Sequence, residues 1–203
     1  KEQKAMLSEA IREVSGYAEI RALCVAIPGR VERTKQLIFG VPHIQYLENI
    51  SLEDLFDKDL NCKKFILEND AALAGLGEAV FGAGKAYTTI AYLTISTGVG
   101  GIRIANKTLD LSQAYCEPGH HVIDIGGPLD TRVKIQGTLE TYTAGSYFER
   151  NYGVDPRQCD DSEIWADYGQ KLATGLINIC AFWAPDAIVI GGGLSNQFDM
   201  FIE

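Results

Sequence analysis

Apolar side chains in the first half of the chain follow two spacings, one helical and one typical of strands. Residues 4–14 place apolar side chains near helical spacing with charges between them, which predicts a helix that ends at Gly16. The run 22–27 is continuously apolar, which is typical of a short strand buried on both faces, and residues 64–67 are predicted to form another buried strand. A shorter strand is predicted at 37–39.

The middle of the chain is predicted to form two helices and then a β-hairpin. The helices lie at 51–56, where Ser51 supplies the N-cap, and at 71–81, which is rich in Ala, Leu and Gly. The hairpin pairs strands at 88–95 and 102–104 through a tight glycine turn.

The last third follows a loop-rich stretch and is mainly helical. Helices are predicted at 139–150 and about 162–183, then a buried strand at 187–190 and a glycine turn into a final helix. The long helix carries one apolar stripe, formed by Trp165, Tyr168, Leu172, Leu176, Ile179 and Phe182.

Alternating strands and helices indicate an α/β protein with a mixed sheet. Ligands in such folds bind beyond the carboxyl ends of the strands. Polar or glycine clusters stand at four predicted strand ends, namely 28–30, 68–70, 96–101 and 191–193. The sequence therefore predicts one ligand cleft that collects all four clusters.

Composition limits the classes of partner. The net charge of −9 leaves no basic surface for phosphate neutralisation, so no nucleic-acid partner is expected. No apolar run approaches the roughly 20 residues of a membrane span, and no signal peptide is evident. The five scattered cysteines argue against a disulfide scaffold and favour a reducing cytoplasm. Cys24 and Cys180 lie in apolar stretches and are expected to pack as small hydrophobic residues.

Asp70 is the first candidate for chemistry. It directly follows a predicted strand, where its carboxylate could accept a proton from a substrate hydroxyl. The alternative is that Asp70 only caps the following helix.

Two glycine turns are candidates for nucleotide binding. Glycines in the turn Thr97 to Gly101 would let backbone N–H groups approach an anion, although an ordinary hairpin turn explains them equally and no P-loop is present. Gly191-Gly192-Gly193 could pack against a nucleotide or could be a tight strand-to-helix turn.

Carboxylates and imidazoles gather in the loop-rich stretch. Glu117 to His121 could recognise vicinal sugar hydroxyls, hold a metal or form a solvated loop. Glu140 begins a helix, where the helix dipole alone would favour a carboxylate.

The order of these elements resembles the ROK family of bacterial sugar kinases and repressors. The matching motifs run along the whole chain: Pro28-Gly29, Glu68-Asn69-Asp70-Ala71, Ser96-Thr97-Gly98-Val99-Gly100-Gly101, Glu117-Pro118-Gly119-His120, Gly137-Thr138-Leu139-Glu140 and Ile188-Val189-Ile190-Gly191-Gly192-Gly193. The resemblance implies the two-lobed actin-like ATPase (ribonuclease H-like) fold, with mixed sheets flanked by helices. Residues 1–68 would be the remainder of the smaller lobe, and 69–203 the larger lobe with the nucleotide-binding turns.

The resemblance also implies a role for each candidate residue. Asp70 would be the general base for a sugar hydroxyl that attacks the γ-phosphate of ATP, with Mg²⁺ bound to the nucleotide. The sugar would be held by Pro28, Gly29, Asn69, Glu117, His120 and Glu140. The nucleotide would be held by Thr97, Gly98, Gly100, Gly192 and Gly193. A homodimer is common among such relatives.

The chain departs from the family pattern in three places. The opening phosphate motif Asp-x-Gly-Gly-Thr is absent, so truncation at both ends and an inactive fragment are expected. The motif Cys-x-Cys-Gly-x-x-Gly-Cys is replaced by Thr131 to Thr138 without cysteine, so no structural zinc is expected. Ala72 replaces an Asn two positions after the predicted base, which weakens any inference about substrate preference.

Three functions agree with this sequence. The leading one is an ATP-dependent hexose or N-acetylhexosamine kinase of the cytoplasm. The others are a sugar-sensing repressor of the same family, which would carry an upstream helix-turn-helix, and a sugar-binding protein without catalysis. The sequence determines neither the sugar nor the phosphorylated carbon.

Overall fold

Helices and strands alternate along the chain in the computed structural model, which describes residues 2–34, 36–41, 47–56, 60–113 and 116–202. Sheets of both parallel and antiparallel strands are flanked by helices, so the predicted α/β class is confirmed. The chain divides into two compact units, 1–73 and 74–203, and the boundary lies inside a helix. The assignment of residues 1–68 and 69–203 to the two lobes of an actin-like ATPase stays a prediction.

The elements of the first unit agree closely with the apolar pattern. They are helix α1 (Glu2–Ser15), strands β1 (Leu23–Ile27), β2 (Arg30–Glu32), β3 (Leu37–Phe39) and β4 (Phe65–Asn69), and the start of helix α2 (Asp70–Val80). A 3-10 helix, Leu52–Leu55, stands where an α-helix was predicted, and Ser51 caps it by accepting from the backbone N–H of Asp54.

The second unit contains the remaining elements. They are strands β5 (Thr89–Ile95), β6 (Val99–Ala105), β7 (Thr108–Leu109), β8 (Leu129–Asp130), β9 (Ile135–Gln136) and β10 (Ala187–Gly191), and helices α3 (Leu139–Thr143), α4 (Gly145–Tyr152), α5 (Ser162–Trp183) and α6 (Phe198–Phe201). Short 3-10 segments occur at Leu111–Gln113, Pro118–His120 and Gly193–Gln197.

Strands β1 and β4 form a parallel pair in the first unit, with Ile27 beside Asn69. This pairing brings the ends of the two strands together, as the predicted clusters at 28–30 and 68–70 require. The prediction that β1 is buried on both faces is wrong, because its burial alternates and Cys24 is exposed. A strand in a two-stranded sheet with one covered face alternates in this way.

The second unit is organised around a four-stranded mixed sheet of order β10-β5-β6-β7. Strand β10 runs parallel to β5, whereas β5, β6 and β7 are antiparallel. Because Gly100 and Gly101 pair with Thr94 and Leu93, the predicted turn 96–101 is shorter than expected and consists only of residues 96–98.

An aromatic cluster joins the helices of the second unit. Phe148 of α4 lies 4.8 Å from the Trp165 ring and 5.6 Å from the Tyr168 ring of α5, measured between ring centroids. Phe201 of α6 stacks on Trp165 at 5.9 Å. This packing explains why the predicted helix 139–150 is instead two helices: Ala144 adopts an extended conformation between them, and α4 turns onto α5.

Two surface predictions on α5 are wrong. Phe182 is 81% exposed and Trp183 is buried in its place, so the apolar stripe shifts by one residue at the end of the helix. Cys180 is exposed rather than packed. Among the described residues, no helix is both long and apolar enough to cross a membrane.

Two glycines of α2 provide a matched test of packing in the second unit. A Cβ atom on Gly75 would lie 2.8 Å from Tyr92 Cβ and 2.9 Å from Ile102 Cγ2, whereas one on Gly77 would meet nothing within 4 Å. We expect Gly75→Ala to lower the free energy of unfolding by about 1–3 kcal/mol through overpacking. Gly77→Ala should raise it by about 0.5–1 kcal/mol, because alanine favours the helix. Denaturant melts of both variants test this, and equal effects would contradict the packing of α2 on the sheet.

Candidate functional site

In the first unit, the ends of β1 and β4 place Pro28, Gly29, Asn69 and Asp70 together. The side-chain amide of Asn69 donates to the Gly29 carbonyl at 2.9 Å. Gly29 has a φ of +110°, and a Cβ there would lie 2.5 Å from Val41 Cγ1, so only glycine fits. The backbone at Gly29 is therefore held by the Asn69 hydrogen bond and by its close packing against Val41.

Asn69, and not Asp70, caps helix α2. The Asn69 side-chain oxygen accepts from the backbone N–H of Ala72 at 3.0 Å, which is the bond expected of an N-cap. Asp70 is exposed, and its Oδ1 accepts from Ala71 N and from the Asn69 amide. Its Oδ2 has no hydrogen-bond partner among the described residues. Because α2 begins at Asp70 and Asn69 makes the N-cap hydrogen bond, the interpretation of Asp70 as the N-cap is wrong.

An ion pair between a buried carboxylate and a partly buried arginine supports the same strand end. The carboxylate of Glu68 accepts from Arg33 Nε at 2.8 Å and from Arg33 Nη2 at 2.6 Å, and Glu68 itself is buried. Glu68 Oε1 also accepts from the Asn69 N–H at 2.9 Å. Sequence reasoning missed this pair, although a glutamate that ends an apolar strand is a signal that a cation must lie nearby.

In the second unit, the turn 96–98 between β5 and β6 is held by the helices that follow it in sequence. Glu140 Oε2 accepts from Val99 N at 2.7 Å, and both groups are buried. The Ser96 carbonyl accepts from Gly145 N at 2.7 Å, and the Thr97 carbonyl from the Ser146 hydroxyl at 2.5 Å. The turn is thereby fastened to α3 and α4.

The same turn leaves two backbone donors unused. The N–H groups of Thr97 and Gly98 make no hydrogen bond to any other described residue, and Thr97 is exposed. Such adjacent donors suit an anion such as a phosphate. Gly100 lies outside the turn, within β6.

Gly192 and Gly193 follow β10 beside this turn. Gly192 has a φ of +91°, and a Cβ there would lie 2.4 Å from the Ile95 carbonyl oxygen. A Cβ on Gly193 would lie 3.9 Å from Ser96 Oγ. The predicted tight turn after β10 is therefore present. Because Gly192 and Gly193 have no side chains, their backbone lies directly beside residues 96–98.

Glu140 stands in the first turn of α3, which Thr138 caps, and it is only 4% exposed. Its Oε1 forms an ion pair with Arg132 Nη2 and lies 3.7 Å from His120 Nε2. The helix dipole alone does not account for so buried a carboxylate, which needs these partners. His120 follows Glu117 in one short turn, closed by a hydrogen bond from His120 N to the Glu117 carbonyl at 2.9 Å.

Two residues that sequence reasoning did not single out complete this cluster. Asp130 is fully buried, and its Oδ1 accepts from the backbone N–H of Arg132 at 2.9 Å. Burial raises the pKa of the Asp130 carboxyl, but the N–H and the charge of Arg132 outweigh it, so the pKa lies below its usual range. The sequence Leu129-Asp130-Thr131-Arg132 carries no recognisable motif that could have revealed them.

Neighbouring histidines in this cluster have opposite pKa shifts. The pKa of His120 is raised by its contact with Glu140, against a smaller opposing effect of burial. The pKa of His121 is lowered by burial. The imidazole of His120 therefore keeps its proton to a higher pH than that of His121.

We expect NMR titration to place the His120 midpoint above, and the His121 midpoint below, the unperturbed histidine value of about 6.5. Because the folded-state pKa of His120 is raised, its stabilising contribution is complete below the unfolded pKa and is lost as the pH rises through the folded pKa. Glu140→Gln should lower the His120 midpoint and leave that of His121 unchanged. Coincident midpoints would contradict this geometry.

Several curated proteins are similar to this chain in sequence. The glucokinase of Thermotoga maritima is 26% identical over 94% of this chain and 69% of its own length. The xylose repressor of Bacillus subtilis is 26% identical over 88% of this chain and half of its own length. The uncharacterized protein CPE0188 of Clostridium perfringens is 29% identical over 96% of this chain and 69% of its own length.

Solved structures share the fold. The ROK hexokinase of Thermus thermophilus superposes with a TM-score of 0.76 at 24% identity, covering 98% of this chain and 76% of its own. A ROK glucokinase of Streptomyces griseus, solved with glucose and AMPPNP, gives 0.75 at 22% identity, covering 96% and 75%. The fold of this chain is thus that of the actin-like ATPases. The sequence model of the ROK family matches residues 3–203, and the chain belongs to the ROK family.

Proposed function

We propose that this protein phosphorylates a hydroxyl group of a hexose or N-acetylhexosamine with ATP. The observation that carries the proposal is the state of Asp70. Asn69 makes the N-cap hydrogen bond of α2, and Asp70 uses only Oδ1, on the Ala71 N–H, so its Oδ2 remains available for another partner. A carboxylate in this state, at the end of a strand in a ROK protein, suits a general base.

In this proposal Asp70 Oδ2 accepts the proton of the sugar hydroxyl as its oxygen attacks the γ-phosphorus of ATP. The bond from that phosphorus to the bridging oxygen breaks, and ADP leaves. Positioning supplies most of the acceleration in such transfers, so the residues that orient the sugar matter as much as the base. We assign that orientation to Asn69, Glu117, His120 and Glu140, together with the Pro28-Gly29 backbone.

For ATP we propose the edge formed by residues 96–98 and 192–193. The unused N–H groups of Thr97 and Gly98 would donate to phosphate oxygens. Gly192 and Gly193 would border the adenosine. Gly100 lies within β6, the strand that follows the turn, and would contribute to the nucleotide site through the position of that strand. Mg²⁺ bound to ATP would neutralise phosphate charge. The reaction is proposed to occur in the cytoplasm, with neither membrane nor nucleic acid as a partner, in a monomer or homodimer.

A second candidate function rests on the similarity to the xylose repressors. The same sugar-binding residues would then sense a sugar without transferring phosphate. A coupled ADP-release assay of the full-length protein with Mg·ATP and a panel of hexoses and N-acetylhexosamines distinguishes the two. Sugar-dependent ADP release supports the kinase, whereas sugar binding without release supports the sensor.

We expect Asp70→Asn to lower kcat by at least about 100-fold, because removal of a general base loses roughly two to four orders of magnitude. The Kd for sugar, measured by calorimetry, should change little, because the amide keeps the shape of the side chain. Asp160→Asn, which neutralises another exposed aspartate, serves as the control and should retain wild-type kcat. Wild-type turnover in Asp70→Asn would rule out Asp70 as the base.

A further inference from the structure

The stretch of this chain that corresponds to the family's zinc motif, Thr131 to Thr138, contains no cysteine. Any metal at this place would have to be bound by other side chains nearby. His120, Asp130 and Glu140 offer ligand atoms that all lie within 4.8 Å of one another. Structural zinc sites use four tetrahedral ligands, most of them thiolates and imidazoles. One imidazole and two carboxylates supply three ligands and no thiolate, so by themselves they would bind zinc only weakly.

A protein cation already lies among these atoms. Arg132 Nη2 forms an ion pair with Glu140 Oε1, and Arg132 Nε lies 3.7 Å from Asp130 Oδ1. A divalent ion bound there would compete for the same oxygens and would be repelled by the guanidinium. The residues of this cluster therefore do not fit zinc.

The guanidinium is held in place from several directions. The Tyr147 ring lies beneath it, with its centroid 5.4 Å from Arg132 Cζ. Asp130 is oriented in turn by the hydroxyls of Thr138, at 3.3 Å, and Tyr147, at 3.4 Å. Thr138 also caps α3, which carries Glu140. A contact chain thus runs from the loop before α3 to the carboxylate proposed to bind sugar.

We infer that Arg132 is a positioning residue that takes the place of a metal ion in this ROK protein. Its guanidinium neutralises Asp130 and Glu140 and fixes the turn between β8 and β9 against α3. It thereby holds Glu140 Oε2 on the N–H of Val99, directly behind the turn 96–98. Its effect on sugar affinity rests on the proposed function, but its role as the cation of the cluster does not.

The first test measures metal in the wild-type protein. Purified protein should contain far less than one zinc ion per chain by mass spectrometry, and neither EDTA nor Zn²⁺ should shift its Tm. Stoichiometric zinc together with a Tm that falls on chelation would overturn the assignment. This measurement needs no kinase activity and no sugar, so it decides whether zinc occupies the cluster even if the proposed function fails.

The second test removes the cation. Arg132→Ala should lower the Tm by on the order of 10 °C, because two buried carboxylates lose their partner. The Kd for sugar should rise roughly 10- to 100-fold, as when the support of a binding group is lost. Arg132→Lys keeps the charge and should recover part of both losses. Arg157→Ala removes a highly exposed arginine as the control and should change neither quantity.

The change in Tm on addition of Zn²⁺ distinguishes an arginine that takes the place of a metal ion from one that only stabilises the fold. Without the guanidinium, the oxygens and imidazole of the cluster become available, so Zn²⁺ should raise the Tm of Arg132→Ala but not that of the wild type. An equal rise in both proteins, or a Tm and sugar Kd of Arg132→Ala equal to those of the wild type, would refute the inference.

Discussion

The second unit of this ROK protein depends on how one buried carboxylate is neutralised. Glu140 is 4% exposed, and it accepts from the N–H of Val99 at the start of β6. A buried charge is tolerated only with close partners, and Arg132 and His120 supply them. The hairpin turn, the loop before α3 and α3 itself are therefore tied together at a single side chain.

The first unit solves a similar problem with different residues. Arg33 binds both oxygens of the buried Glu68, while Asn69 caps α2 and also reaches the Gly29 carbonyl. These neighbours meet the structural requirements of the strand end. The adjacent Asp70 is left exposed, and its Oδ2 has no hydrogen-bond partner among the described residues. In the proposed mechanism, catalytic and structural roles are divided between consecutive residues.

Family membership constrains the fold of the chain more strongly than its chemistry. The same architecture is found in ROK kinases and in a ROK transcriptional regulator. Function must therefore be argued from the site. In the proposal above, the guanidinium of Arg132 meets the electrostatic requirement of the Glu140 cluster, which the fold alone does not specify.

The sequence by itself determined the α/β class, the family and the order of nearly all elements, because short apolar runs and glycine turns are local signals. It also singled out Asp70 and Glu140, which follow a strand and begin a helix. Only the tertiary structure decided that Asn69 is the cap, that Cys24 and Phe182 are exposed, and that Arg132 pairs with Glu140. These outcomes depend on which residues meet across loops and sheet faces, and local spacing does not encode such long-range contacts.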